Sequence, residues 1–257
     1  MLQHYIMSFF KRLKLMKYMG SKNRFAKELL PIILKDRLPN QWYYEPMVGG
    51  ANIIDKVKGN RFGADVNEYL IEMWVALTGG WMPKEHYTKE EYTDIKNNKG
   101  NYPKCLVGYV GFVCSYSGKW FGGYANNYPE SRRLKNGTLP NYQKESLNSL
   151  KKQLPNLKGV TFKHSSYKDL FFADNSIIYF DPPYEGTTKY KDMFNHLEFW
   201  EWARAKSKEG HKVFVSEYKA PEDFKCVWEK ETKSSLSANG KSGGNKLSTE
   251  KLFVYCG

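Results

Sequence analysis

The chain has 257 residues, and a hydrophobic share of 41% is enough to fill the core of one medium domain that carries an insertion. No run approaches the roughly 18 apolar residues that span a bilayer, so the sequence offers no candidate membrane helix. Lys and Arg number 40 against 27 Asp and Glu; the resulting +13 points to a polyanionic partner, and aromatics at 16% make nucleic acid a better fit than a membrane surface.

Met1 to Phe10 are mildly apolar, and Lys11, Arg12 and Lys14 follow them. A secretory signal has the opposite order and ends in a small-residue cleavage site. Residues 1–15 are therefore read as an extension outside the core, with Met16 as an alternative start. Arg24 to Arg37 reads as a helix with Phe25, Leu29, Leu30, Ile33 and Leu34 on one side and a bend at Pro31. Gln41 to Tyr44 predicts a strand, followed by the turn Glu45-Pro46-Met47-Val48-Gly49-Gly50, and Asn52 to Val57 predicts the start of a helix. Arg61 to Val66 predicts a second strand that carries Asp65 at its end. Asn67 then caps a helix bearing Leu70, Ile71, Trp74, Val75 and Leu77. Alternating strand and helix is the pattern of a parallel, wound sheet.

The pattern lapses after Gly79. Residues 84–99 read as a polar helix, and residues 108–128 are rich in Gly and aromatics with no clean period. Residues 79–155 are read as an insertion between two halves of the sheet. Strands return at Gly159 to Lys163, Ile177 to Phe180 and His211 to Tyr218. Asn195 caps a helix whose Phe199, Trp200 and Ala203 read as packing residues. Cys226 to Lys230 and Leu252 to Cys256 read as a closing antiparallel pair, joined by a Ser, Gly, Asn and Lys loop from Thr232 to Ser248.

Two constellations carry chemistry. Glycines after a first strand let backbone approach a ligand, and an acidic residue about 20 positions on suits ribose hydroxyls. The turn at Glu45 to Gly50 with Asp65 has this form, while both G-x-x-x-x-G-K-[ST] and G-x-G-x-x-G are missing. An adenosine-bearing cofactor without a phosphate loop, S-adenosylmethionine, fits better than NAD or ATP.

The second constellation is Asp181-Pro182-Pro183-Tyr184, directly after the apolar run Ile177 to Phe180. It sets a carboxylate, a backbone carbonyl and an aromatic ring at the carboxyl end of a buried strand, where open α/β sheets bind ligands. That set suits a flat nitrogenous base held by its ring face and engaged at its amino group. The lone pair of such an amine is delocalised into the ring. Asp181 and the Pro182 carbonyl can accept hydrogen bonds from it and stabilise the charge that grows as it attacks a methyl sulfonium. Methylation at cytosine carbon needs a Cys nucleophile, usually in a Pro-Cys pair, and the chain has no such pair. Cys105, Cys114, Cys226 and Cys256 form no C-x-x-C and no cluster with the five histidines. No zinc site is expected, and the thiols read as reduced residues of a cytoplasmic protein. His164, at a strand end, reads as structural.

Taken in order, Lys17-Tyr18-Met19-Gly20-Ser21-Lys22, Tyr44-Glu45-Pro46-Met47-Val48-Gly49-Gly50 with Asp65, and Asp181-Pro182-Pro183-Tyr184 resemble the Dam-type (alpha-class, D12) DNA adenine-N6 methyltransferases. The resemblance spans about residues 16–257. It implies an α/β, Rossmann-like S-adenosylmethionine-dependent methyltransferase sheet formed by residues 16–78 and 156–257, with an inserted, mainly helical DNA-recognition region at 79–155. It also implies that Tyr18 and Lys22 contact the cofactor, that Glu45, Pro46 and Gly49 belong to its turn, and that Asp65 binds its ribose. Asp181 would border both cofactor and target amine. Two positions depart from the family turn, which usually has Phe after Glu-Pro and Gly at its end; here they are Met47 and Ala51.

Lys119, Arg132 and Arg133 are candidate phosphate contacts, and Tyr116 or Trp120 could fill the gap left by a flipped base. Lys189 and Tyr190 sit in the loop after the motif and could close over DNA. Expected is a site-specific enzyme on double-stranded DNA, phage-encoded, solitary or paired with a restriction enzyme. Cytosine N4 is a nearby alternative acceptor, and a noncatalytic DNA-binding protein on the same fold is a second alternative.

Overall fold

The computed structural model describes residues 15–126, 134, 137–184, 194–233 and 247–257. In chain order the elements are α1 (Ala26–Ile33), β1 (Tyr43–Glu45), β2 (Arg61–Asp65), α2 (Glu68–Thr78), α3 (Lys89–Asn97), α4 (Lys104–Phe112) and α5 (Tyr142–Leu157). They continue with β3 (Val160–His164), β4 (Ile177–Phe180), α6 (His196–Lys208), β5 (Lys212–Glu217), β6 (Phe224–Lys233) and β7 (Leu247–Tyr255). No helix among the described residues is long and apolar enough to cross a membrane.

Two compact units result. The first gathers the described residues up to Asn23 with Gly49–Lys56 and Asp65–His164. The second gathers Arg24–Val48, Val57–Ala64 and the described residues from Ser165 onward.

The second unit is built on strands ordered β2-β1-β4-β5-β7-β6. β2, β1, β4 and β5 run parallel, and β7 enters antiparallel between β5 and β6. This is the expected Rossmann-like α/β sheet, and the closing pair is antiparallel as expected. All four residues of β4 are buried, as a central parallel strand requires. One core cluster joins Tyr44, Ile178, Phe180, Val213 and Val215 of the strands to Phe199, Trp200 and Ala203 of α6. The Asn195 side chain caps α6 by accepting from Glu198 N at 3.1 Å. Met47 packs, partly buried, against the same cluster, so an apolar side chain fills its place in the turn.

The first unit is mainly helical. Asn67 caps α2, its side chain accepting from Leu70 N at 3.0 Å, and Thr88 forms a capping box with Glu91 at the start of α3. α4 lies tight against α2: a Cβ on Gly108 would stand 2.0 Å from the Tyr69 carbonyl oxygen.

Several expectations are corrected. α1 stops at Ile33 rather than Arg37, because the Arg37 guanidinium turns back to donate to the carbonyls of Gln41, Lys58 and Asn60. The helix expected from Asn52 is a single 3-10 turn, Ile54–Lys56, since Gly59 (φ +76°) ends the segment within a few residues. Val75 points to solvent at 45% exposure rather than into the α2 core face. The aperiodic stretch from residue 108 begins inside α4, whose Val107 to Phe112 are all buried, so no amphipathic period exists to read. Thr232, Lys233, Leu247 and Ser248 belong to strands, not to the loop assigned to them.

Candidate active site

The second unit carries Asp181 to Tyr184 at the point where the strand order reverses. β1 pairs with β2 on one side and β4 on the other. Glu45, the last residue of β1, and Asp181, the first after β4, therefore stand at the carboxyl ends of neighbouring parallel strands. A crevice at such a reversal is the usual ligand site of an open α/β sheet. Pro182 is buried, while Asp181 and Tyr184 are half-buried.

Polar side chains are packed densely there. Tyr184 donates its hydroxyl to Glu250 Oε2 at 2.8 Å, and its ring meets Tyr218 edge-to-face with centroids 4.5 Å apart. Tyr43 donates to Glu45 Oε1 at 2.7 Å, and Tyr179 shares a 2.9 Å hydrogen bond with Ser216. Burial, followed by the Asp181 and Glu250 carboxylates, pushes the Tyr184 phenol well above its ordinary range. Burial and then Asp181 do the same to Tyr179. These phenols stay protonated at neutral pH and act as neutral donors beside carboxylates. Glu45, 4% exposed, and Pro46 are buried in this unit as parts of the turn.

Other members of the predicted set belong to the first unit. Tyr18 lies against the glycine turn so closely that a Cβ on Gly49 would meet its ring at 2.7 Å, and one on Gly50 would meet its Cβ at 2.6 Å. Glycine is needed at both positions to admit that ring. Gly49 N donates to Asp65 Oδ2 at 3.1 Å, and Asn67 N donates to Oδ1 at 3.0 Å. Burial raises the Asp65 carboxyl above the ordinary Asp range, and the backbone hydrogen bonds only partly offset it. A carboxylate has about four acceptor positions, and these two amides with that of Val66 occupy three of them, so Asp65 retains capacity for a hydroxyl donor. That chemistry fits the ribose of an adenosine-bearing cofactor. Lys22 is buried at 7%, with its ammonium near the Gly20 carbonyl. His164 is exposed and makes a 3.1 Å hydrogen bond with Val66 O.

Trp120 stacks on Tyr69 with centroids 5.5 Å apart and packs against Phe112 at 4.8 Å, which in turn lies 5.5 Å from Tyr18. It is a member of an aromatic column. Tyr116, by contrast, is 67% exposed. Lys119 is half-buried, with its stem folded over Gly122. Arg132, Arg133, Lys189 and Tyr190 lie outside the described residues.

Sequence reading missed two residues. Gln153 of α5 is fully buried and bonds the backbone at Met16, Gly50 and Ala51. Glu250 of β7 is 7% exposed beneath Tyr184. Neither sits in a motif, and the only signal for Glu250 is that it is the single acid of β7.

Residues 120–237 match the family model for D12 class N6 adenine-specific DNA methyltransferase, a span that includes Asp181 to Tyr184. No curated protein matches the chain. The match detects a D12 class domain, supports adenine-N6 DNA methylation and places the activity in an enzyme class whose substrate is DNA. Nothing found favours cytosine N4 or a noncatalytic protein.

Proposed function

We propose that this chain, carrying a D12 class N6 adenine-specific DNA methyltransferase domain, methylates the exocyclic amine of an adenine turned out of double-stranded DNA. S-adenosylmethionine, the donor generally used by this family, supplies an electrophilic methyl group on a sulfonium. Everything else is positioning and electrostatics by the protein. The observation that carries the reading is Asp181-Pro182-Pro183-Tyr184 at the carboxyl end of β4, at the reversal of strand order.

Asp181 and the Pro182 carbonyl accept hydrogen bonds from the two N–H groups of the adenine amine, which favours a pyramidal nitrogen. The Asp181 carboxylate stabilises the positive charge that develops there. Tyr184 stacks on the base, an interaction worth about 1–3 kcal/mol per base. A base within a duplex is unreachable, so the target leaves the stack. Asp65 accepts from the cofactor ribose, Tyr18 and Lys22 contact the cofactor from the N-terminal segment, and Glu45, Pro46 and Gly49 shape its turn. Lys119, Arg132, Arg133 and Lys189 are assigned to phosphates. Tyr116, Tyr190 and Trp120 are the aromatic candidates at the DNA, with exposed Tyr116 better placed to reach it than packed Trp120.

The test is methyl transfer from labelled S-adenosylmethionine to unmodified duplex DNA, followed by nucleoside mass spectrometry and sequencing of the modified positions. N6-methyladenine at a defined sequence is expected. N4-methylcytosine, or no label in DNA from folded protein, overturns the reading.

A further inference from the structure

Glu250 is a buried carboxylate that the chemistry above leaves unassigned. It lies on β7, and both of its oxygens are engaged: Tyr184 donates its hydroxyl to Oε2 at 2.8 Å, and the Arg24 guanidinium faces Oε1 at 3.7 Å. Arg24 is itself steadied by a 3.3 Å hydrogen bond to Thr232 of β6. The Tyr184 ring is also held from β5, because Tyr218, directly after that strand, meets it at 77° and donates its own backbone N–H to Glu217 at 2.7 Å. Two adjacent strands thus fix the phenol, one by its hydroxyl and one by its ring.

A tyrosine free at its hydroxyl end can swing about χ1 and χ2, so a ring that must offer a fixed plane needs an anchor far from Cβ. We infer that Glu250 is a positioning residue for the target base: by holding the Tyr184 hydroxyl, it fixes the plane on which the flipped adenine stacks. The inference rests on the proposed function. Glu250 itself does not touch the reacting atoms. Its carboxylate is matched by Arg24, so it serves as a charge-assisted acceptor while balanced by a partner.

The test uses the full chain with two duplexes: the unmodified substrate for kinetics, and one carrying 2-aminopurine in place of the methylated adenine for flipping. Glu250→Leu and Tyr184→Phe remove the same hydrogen bond from opposite sides. Each is expected to raise KM for DNA about tenfold, the loss of one charge-assisted bond, and to blunt the 2-aminopurine fluorescence rise. The affinity for S-adenosylmethionine should stay unchanged in both. The double variant should be no worse than either single one. Glu250→Gln keeps an acceptor and should recover most of the loss, which a merely structural defect would not predict. Should Glu250→Leu fail to fold, Tyr184→Phe and Glu250→Gln still decide the matter. Wild-type flipping and KM in Tyr184→Phe, or a Glu250→Leu defect confined to thermal stability, overturns this inference alone. A wild-type enzyme that methylates no adenine overturns the parent reading and takes this inference with it.

Discussion

The Gln153 side chain donates to the Gly50 carbonyl at 3.0 Å, so α5 holds the glycine turn from 103 positions away. The same amide donates to Ala51 O at 3.0 Å and accepts from Met16 N at 3.1 Å. Asn52 completes the ring by donating to Met16 O at 3.1 Å. Tyr18 is two residues beyond Met16, so one buried amide sets both the turn and the segment whose ring covers it.

Gln153→Leu leaves two buried carbonyls without this donor, and each unsatisfied group costs about 1–3 kcal/mol. Urea denaturation should show a loss of about 3 kcal/mol. Gln153→Glu should be no milder despite its matching shape, because a carboxylate cannot donate to those carbonyls. Full stability in the Glu variant would mean that the amide donors are not what holds the turn.

Ala51 sits at φ +52° and is completely buried. An L side chain in the left-handed region costs roughly 1–2 kcal/mol, part of which glycine returns as greater freedom of the unfolded chain. Ala51→Gly should therefore stabilise the protein by about 1 kcal/mol and raise Tm by about 2–4 °C. Scanning calorimetry decides it; an unchanged or lower Tm would show that the Ala51 methyl packs well enough to outweigh its backbone strain.

The parts of this molecule that were legible in the sequence are the local ones. The buried run Ile177 to Phe180 followed by Asp181-Pro182-Pro183 announced a strand and where it ends, because four consecutive buried β-formers meeting two prolines have few other solutions. Asn67 and Asn195 announced two helix starts by the chemistry of their side chains. By contrast, α4 was hidden because burial on all sides erases the helical period, and its Gly108 and Gly111 admit neighbouring groups rather than mark turns. Gln153 and Glu250 were hidden for another reason. Their partners are distant in sequence, 66 positions away for Tyr184 and Glu250, and no composition or spacing links them.

Asp65 gives a pH prediction. Burial holds its carboxyl above the ordinary Asp value of 3.8. In the proposed site, ribose hydroxyls donate to the ionised form, so S-adenosylmethionine affinity should be full at neutral pH and fall as pH drops through that raised pKa. The loss should begin at a higher pH than for an exposed aspartate. Calorimetric titration from pH 7.5 downward should show this slope in the wild type, and a weaker, flat profile in Asp65→Asn. An unchanged dissociation constant in Asp65→Asn would move the ribose site elsewhere.

The charge of +13 predicts strongly salt-dependent DNA binding. Neutralising about six phosphates lowers affinity about 10³-fold between 50 and 200 mM salt. Fluorescence anisotropy with a duplex measures this directly, and a flat response would rule out a basic face as the binding surface.

Asp181 carries the heaviest prediction. Its proposed hydrogen bond to the adenine amine strengthens as that nitrogen gains positive charge, so it stabilises the transition state more than the bound substrate. Removing such a group should lower kcat far more than it raises KM. Asp181→Ala is expected to cut single-turnover methylation at least about 100-fold, with circular dichroism and Tm close to wild type, since the side chain is half-buried at the end of β4 and not part of its core. Asp181→Asn keeps a neutral acceptor without the charge and should fall between the two. Activity within tenfold of wild type in folded Asp181→Ala would place the stabilisation of the amine on backbone groups such as the Pro182 carbonyl, leaving the carboxylate without a catalytic role.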